Sequence, residues 1–336
     1  MPDLEHILEG ARRTMTLLLA AGFGLFWVHS ALWMFRGLAE NRAKAKTLSQ
    51  GRAIFPPGGG ELYRRFDRKQ IVLHILVMVS FLGLSLTGLP LKFAGQGWAK
   101  LLIDLYGGPA QAGLLHRVSG GLTLLYLAIT VVMSGKFLFG NREAGGTFTQ
   151  RLLGPDSLCP NWRDLSDLIG MLRWFVFLGP KPCFERWTYW EKFDFLALFW
   201  GMLTIGASGL VLWFPDFFAA WLPGWMCCAA TMIHTEVALL ATGFIFTVHF
   251  FNTHGRPEKF PMNFVIFSGQ ISHQEMVEER SAQWQRYLEE GSTERFRVQR
   301  RRGAGYDLFC HGLGFIALGT GAILFGLMLY SCVEMM

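Results

Sequence analysis

Residues 233–254 read IHTEVALLATGFIFTVHFFNTH. These 22 residues hold one acidic side chain, Glu236, and no Lys or Arg. At 1.5 Å per residue they are long enough to cross a hydrocarbon layer of roughly 30 Å. His234 lies near one end, His249 near the other, and His254 closes the stretch. An ionisable side chain inside a membrane span is by default a functional hypothesis, because the bilayer penalises it. His234 and His249 are 15 residues apart. On a regular α-helix that is about 22 Å along the axis and about 60° around it, so the two share roughly one face at two depths.

The rest of the chain has the same character. Of its 336 residues 51% are hydrophobic and only 17% charged, against about 25% charged in an ordinary soluble domain. The apolar residues come in blocks, which predict six transmembrane helices at 14–34, 71–93, 115–137, 193–214, 229–251 and 308–332. No run of short alternating segments points to a β-barrel. The net charge of +6 sits in loops, where topology explains it without nucleic acid. Lys and Arg number nine in 36–69, eight in 136–192 and nine in 256–302; the two other loops hold Lys100 alone. By the positive-inside rule the three basic loops are cytoplasmic and both termini periplasmic, in a multi-pass protein of a bacterial inner membrane. The acidic residues 1–9 and the lack of an A-x-A site predict no cleavable signal peptide. Six cysteines without a CxxC or CxxCH motif argue against zinc ribbons, Cys-ligated clusters and covalent c-type haem.

Two further histidines match the depths of the first two. His116 opens the third predicted span on the outer side, and His74 lies near the inner end of the second. The pairs His116/His234 and His74/His249 have the geometry for two stacked bis-histidine haems, since facing helices of a bundle can clamp a macrocycle between imidazoles. Two axial ligands leave no open position for a gas or substrate, so such sites carry electrons. For each histidine alone a hydrogen-bonded packing role competes; the four together favour iron. Gly83, Gly88, Gly120, Gly121, Gly201, Gly206 and Gly209 would let a flat porphyrin approach backbone, although helix–helix contact explains such residues equally well.

The segments RRFDRKQIVLHILVMVSFLGLSLTGLPL (64–91), LLHRVSGG (114–121), YWEKFDFLALFWGMLTIGASGLVLWFP (189–215) and IHTEVALLATGFIFTVHFFNTHGRPEKFP (233–261) resemble the cytochrome b subunits of membrane-bound formate dehydrogenases and nickel–iron hydrogenases. The last stretch is also similar to cytochrome b proteins that work beside multihaem c-type cytochromes. The resemblance implies a four-helix unit with two b-type haems and the ligands His74, His116, His234 and His249. It also implies exchange with quinone or menaquinone near the cytoplasmic haem. The implied partner is a periplasmic-side redox subunit, either an iron–sulfur or dehydrogenase subunit or a multihaem c-type cytochrome. The chain departs from the family by an added span at each end and a longer loop at 138–192. The organisation expected is therefore a span and basic linker (1–63), the dihaem unit (64–265), a charged cytoplasmic segment (266–307) and a last span (308–336).

Other residues are candidates for more than packing. On a regular helix His254 falls about 200° from His234 and about 30 Å along, which makes it a poor substitute for His249. It fits a quinone site instead, with Asn252, Arg256, and Glu191 or Lys192, against interfacial anchoring as the plain alternative. His29 and His311 have depths that allow a third haem or, equally, a polar contact between the two added helices. Residues 167–178 suit a helix lying in the interface, and 273–290 a charged, solvated helical segment. Trp187, Trp190, Trp213, Trp221 and Trp225 suit an interfacial belt. The sequence thus predicts a respiratory, electron-relaying dihaem membrane protein. A proton-coupled transporter using intramembrane histidines predicts broken helices and inverted repeats, which are not apparent. A cofactor-free anchor for a redox enzyme predicts a colourless protein.

Overall fold

The computed structural model describes residues 2–49, 60–140, 146–298 and 303–334. The chain is mostly helical. Its long helices are α1 (Pro2–Ser49), α2 (Arg68–Lys92), α4 (Pro109–Gly135, continued by a π turn Lys136–Gly140), α7 (Tyr189–Trp213), α9 (Trp225–Phe244) and α14 (Ala304–Glu334), with α3 (Gly97–Leu105) and α8 (Pro215–Ala219) as short links. Short elements form the loops: β1 (Leu62–Arg64), α5 (Phe148–Leu153), α6 (Trp162–Phe175), α10 (Val265–Ser268), β2 (Gln270–Ser272), α11 (His273–Glu279), α12 (Ser281–Glu289) and α13 (Thr293–Phe296).

Among the described residues five helices are long and apolar enough to cross a membrane: α2, α4 with its π turn, α7, α9 through Gly255, and α14. The first predicted span, 14–34, falls within α1, where several side chains lie outside the described residues. Much of the basic linker, 50–59, lies outside them too. Local chemistry sets the helix starts. Asp67 with Gln70, Thr188 with Glu191, and Asn161 with Asp164 form reciprocal caps on α2, α7 and α6. Pro109 opens α4, where its missing N–H costs nothing.

The helices α2 with α4 and α7 with α9 pack along their lengths, and α4 meets α7 while α2 meets α9, which closes a four-helix ring. The last helix lies against α2 and α9 through Leu324 and Met328, packed with Leu89, Phe93 and Phe246. Gly321 makes this approach possible, since a β-carbon there would stand 2.6 Å from the rings of Phe246 and Phe250. The first helix docks through Trp33, which is 0% exposed among Met171, Trp174, Phe175, Phe184 and Trp190.

The described parts of the three basic loops fold into one cap at one end of the bundle. Strands β1 and β2 pair antiparallel across the linkers, Tyr63 opposite Ile271. Arg280 grips Glu191 with two hydrogen bonds of 2.8 and 2.9 Å, and Arg65 adds a contact at 3.4 Å. Lys192 pairs with Asp164 at 2.9 Å. Residues 273–290, expected as a solvated segment, instead bury Met276, Arg280, Gln283 and Tyr287. The reason is an apolar stripe with a Tyr63–Val265–Ile271 floor to receive it. Within 167–178 the helix starts earlier, at Trp162; it buries Met171, Trp174 and Phe175 and exposes Trp162, Leu165, Ile169 and Leu172 on its other side. Trp190 leaves the expected belt for the core, 6% exposed, whereas Trp213, Trp221 and Trp225 remain exposed.

Candidate functional site

Both α4 and α9 begin on the face opposite the cap, which puts His116 and His234 at the same end. Their ring planes lie at 76° to each other with centroids 6.2 Å apart. Two imidazoles holding one ion end to end, each nitrogen about 2 Å from it, would stand about 6 Å apart by centroid. Both residues line an apolar, partly open cavity of about 700 Å³ between α1, α2, α4, α7 and α9, a volume typical of ligand and cofactor sites. Gly120 and Gly201 line it as well, as do Arg117 and Lys92, the latter paired with Glu236 at 3.4 Å.

Hydrogen bonding fixes which nitrogen of each ring is free. The Nδ1 of His234 lies 3.0 Å from the carbonyl of Ile205, which can only accept, so Nδ1 carries the proton. The Nδ1 of His116 lies 2.9 Å from the Thr87 hydroxyl, whose own proton goes to the Gly83 carbonyl at 2.7 Å. Here too Nδ1 is the donor. In both rings Nε2 therefore keeps its lone pair, the state that ligates metal. Gly88 and Gly209 seat these rings. A β-carbon at either would be 3.0 Å from Cε1 of His116 or His234 respectively. These two glycines make room for the imidazoles themselves.

At the cap end lie His74, near the start of α2, and His249 and His254, in the last turns of α9. Here α9 leaves the regular winding. Ile245–His249 and Phe251–Gly255 are π turns, with the Phe250 N–H reaching the Ile245 carbonyl and the Arg256 N–H the Phe251 carbonyl. Bonds that close at five residues bring positions five apart onto one face, so His254 comes round beside His249. Such π turns concentrate at functional sites.

The two histidines of this end differ in tautomer. His249 Nδ1 faces Asp194 Oδ2 at 3.2 Å, so it donates and leaves Nε2 bare. His254 Nδ1 accepts the Asn263 backbone N–H at 3.1 Å, so its Nε2 carries the proton and is a donor. Asn252 is 4% exposed with Oδ1 unpartnered, and Arg256 is 3% exposed with Nε unpartnered and its guanidinium 4.8 Å over Trp33. Glu191 and Lys192, the remaining quinone candidates, are engaged in the cap pairs described above. Asp194 was not singled out from the sequence. Its signal was a lone carboxylate placed just inside an apolar run, YWEKFDFLALF (189–199).

His29 and His311 are not brought together. His29 Nε2 is 2.7 Å from the Tyr189 hydroxyl. His311 stacks on Phe264 at 4.2 Å and hydrogen-bonds the Asp307 carbonyl through Nδ1. All six cysteines are free thiols. Among the described residues no group of three or more His, Cys, Asp or Glu is arranged to hold a metal ion; a bis-histidine site needs only two. No protein-family model matches the chain, and comparison with curated proteins gives no match.

Proposed function

We propose that the chain is a dihaem cytochrome b that relays electrons between a membrane quinone and a redox subunit. The observation that carries this reading is the His116–His234 pair. Its rings stand at the separation one shared iron requires, at an apolar cavity of cofactor size, with both Nε2 lone pairs free. His74 and His249 would hold the second group at the cap end. Bound there, haem would supply one-electron transfer.

The protein's own residues orient, exclude water and manage protons. Thr87 and Ile205 lock the outer imidazoles, and Asp194 locks His249. The Nε2–H of His254 is the donor for a quinone oxygen, with Asn252 and Arg256 beside it. The excess of Lys and Arg in the cap makes that face cytoplasmic, so quinone chemistry occurs inside and the partner, a dehydrogenase or multihaem cytochrome subunit, docks on the outer face. The resemblance to the formate dehydrogenase and hydrogenase cytochromes supports the same assignment.

The test is the reduced-minus-oxidised spectrum and haem content of the purified protein. Two haems per chain are expected, falling to one in His234→Ala with loss of quinone-linked electron transfer. A wild-type protein that binds no haem overturns the reading.

A further inference from the structure

The two histidine pairs are held by unlike partners, and the difference has a consequence. At the outer pair both Nδ1 atoms meet neutral oxygens, a threonine hydroxyl and a backbone carbonyl. At the inner pair the Nδ1 of His249 meets a carboxylate. Asp194 is 9% exposed, and its second oxygen, Oδ1, has no hydrogen-bond partner. Among the described residues its hydrogen-bond partners are His249 and Asn252, neither of them an arginine. It is thus not a member of the Arg–Glu network that holds the cap. A carboxylate inside a span is costly and persists where it has a task.

We propose that Asp194 is a positioning residue that makes the two haem sites electronically unequal, an inference that rests on the dihaem reading. A ligand imidazole whose N–H donates to a carboxylate is held in one tautomer and one orientation, and its other nitrogen becomes more basic. A more basic ligand favours ferric over ferrous iron. Each site takes up one electron on reduction, and in a redox titration dithionite supplies it. Asp194 therefore lowers the potential of the inner site selectively, with no matching device at the outer one. The carboxylate reaches its ligand from α7, a helix that contributes no axial histidine.

The experiment is a potentiometric titration of the purified full-length protein followed in the haem absorbance, comparing wild type, Asp194→Asn and Asp194→Glu. Asp194→Asn is expected to raise one of the two components by a tenfold or larger change in its reduction equilibrium, about 59 mV for a one-electron couple. The other component stays in place, and Asp194→Glu returns the shifted one toward wild type. Two retained haems with neither or both components shifted overturn the inference. If Asp194→Asn sheds one haem, Asp194→Glu decides. Two haems in the glutamate variant support a carboxylate requirement, and loss in both variants overturns it as general packing. A wild-type protein without haem defeats the dihaem reading itself, a result distinct from all of these.

Discussion

Gly209 stands against His234 so closely that a β-carbon on the glycine would lie 3.0 Å from the ring's Cε1 and 3.3 Å from Nδ1. The contact falls on the edge of the imidazole that is hydrogen-bonded to Ile205. A branched side chain there must turn the ring or enter the cavity that a haem would occupy. Gly209→Leu is therefore expected to cut the haem content from two to one while the helical content of the protein is retained. Gly88→Leu acts on the partner ligand, His116, and should remove the same haem. Gly201, with nothing within 4 Å of its missing β-carbon, is the control, and Gly201→Ala keeps both. Haem content per chain, measured on the three variants, is the readout.

The histidines divide into those that face a matched ring and those that do not. His116→Ala is expected to lose one haem. His29→Ala and His311→Ala are expected to keep two, because their imidazoles are engaged by Tyr189 and by Phe264 with Asp307. A haem lost on replacing His311 would restore the third site that depth alone allows.

Depth along a span was legible because apolar length and histidine position are one-dimensional facts. The pairing of His116 with His234 follows from them. What a sequence periodicity of 100° per residue does not contain is the π winding of 245–255. Nor does it contain partners contributed by other helices. Asp194 and Thr87 act on histidines far away in sequence, and their roles emerge only when α7 packs on α9 and α2 on α4. Glu191 and Lys192 were legible as polar residues at a helix start, but their ion-pair partners Arg280, Arg65 and Asp164 lie in loops whose folding periodicity does not specify.

Trp33 ties the added first helix to the bundle. It is fully buried, packs 4.8 Å from Trp190, and donates its indole N–H to Glu258 at 3.2 Å. Truncating a buried Trp leaves a large cavity and costs about 3–5 kcal/mol. Trp33→Ala is expected to lower the thermal midpoint of the detergent-solubilised protein clearly, and also to release Arg256, whose guanidinium rests on that ring. Since Trp33 does not line the His116–His234 cavity, the outer haem should survive at low temperature. Thermal unfolding followed by circular dichroism, beside the haem spectrum, separates the two effects.

Glu279 gives the cap a pH dependence whose sign can be worked out. Burial alone would raise its carboxyl, but Lys259 first, then Arg256, Lys181 and Arg280, outweigh burial and hold it at about 2, below its ordinary 4.5. Lys259 lies 3.1 Å from it and also pairs with Glu275. Burial draws the Lys259 ammonium down to about 8 even though Glu279 supports its charge. An acid whose folded value is depressed stabilises the fold fully above its unfolded value and loses that contribution as pH falls through the folded one. The contribution of Glu279 is therefore complete above about pH 4.5 and fades toward pH 2. Removing one partner of a buried pair costs about 3–5 kcal/mol, so Glu279→Gln should melt well below wild type at pH 7. The gap should narrow steadily below pH 4.5. In the variant Lys259 has lost the support of Glu279 and falls below its wild-type value of about 8, so raising the pH toward 8 discharges it and recovers part of the loss. A gap between the two melting curves that is constant from pH 3 to pH 9 would show that the Glu279 carboxylate carries no charge-dependent role in the cap.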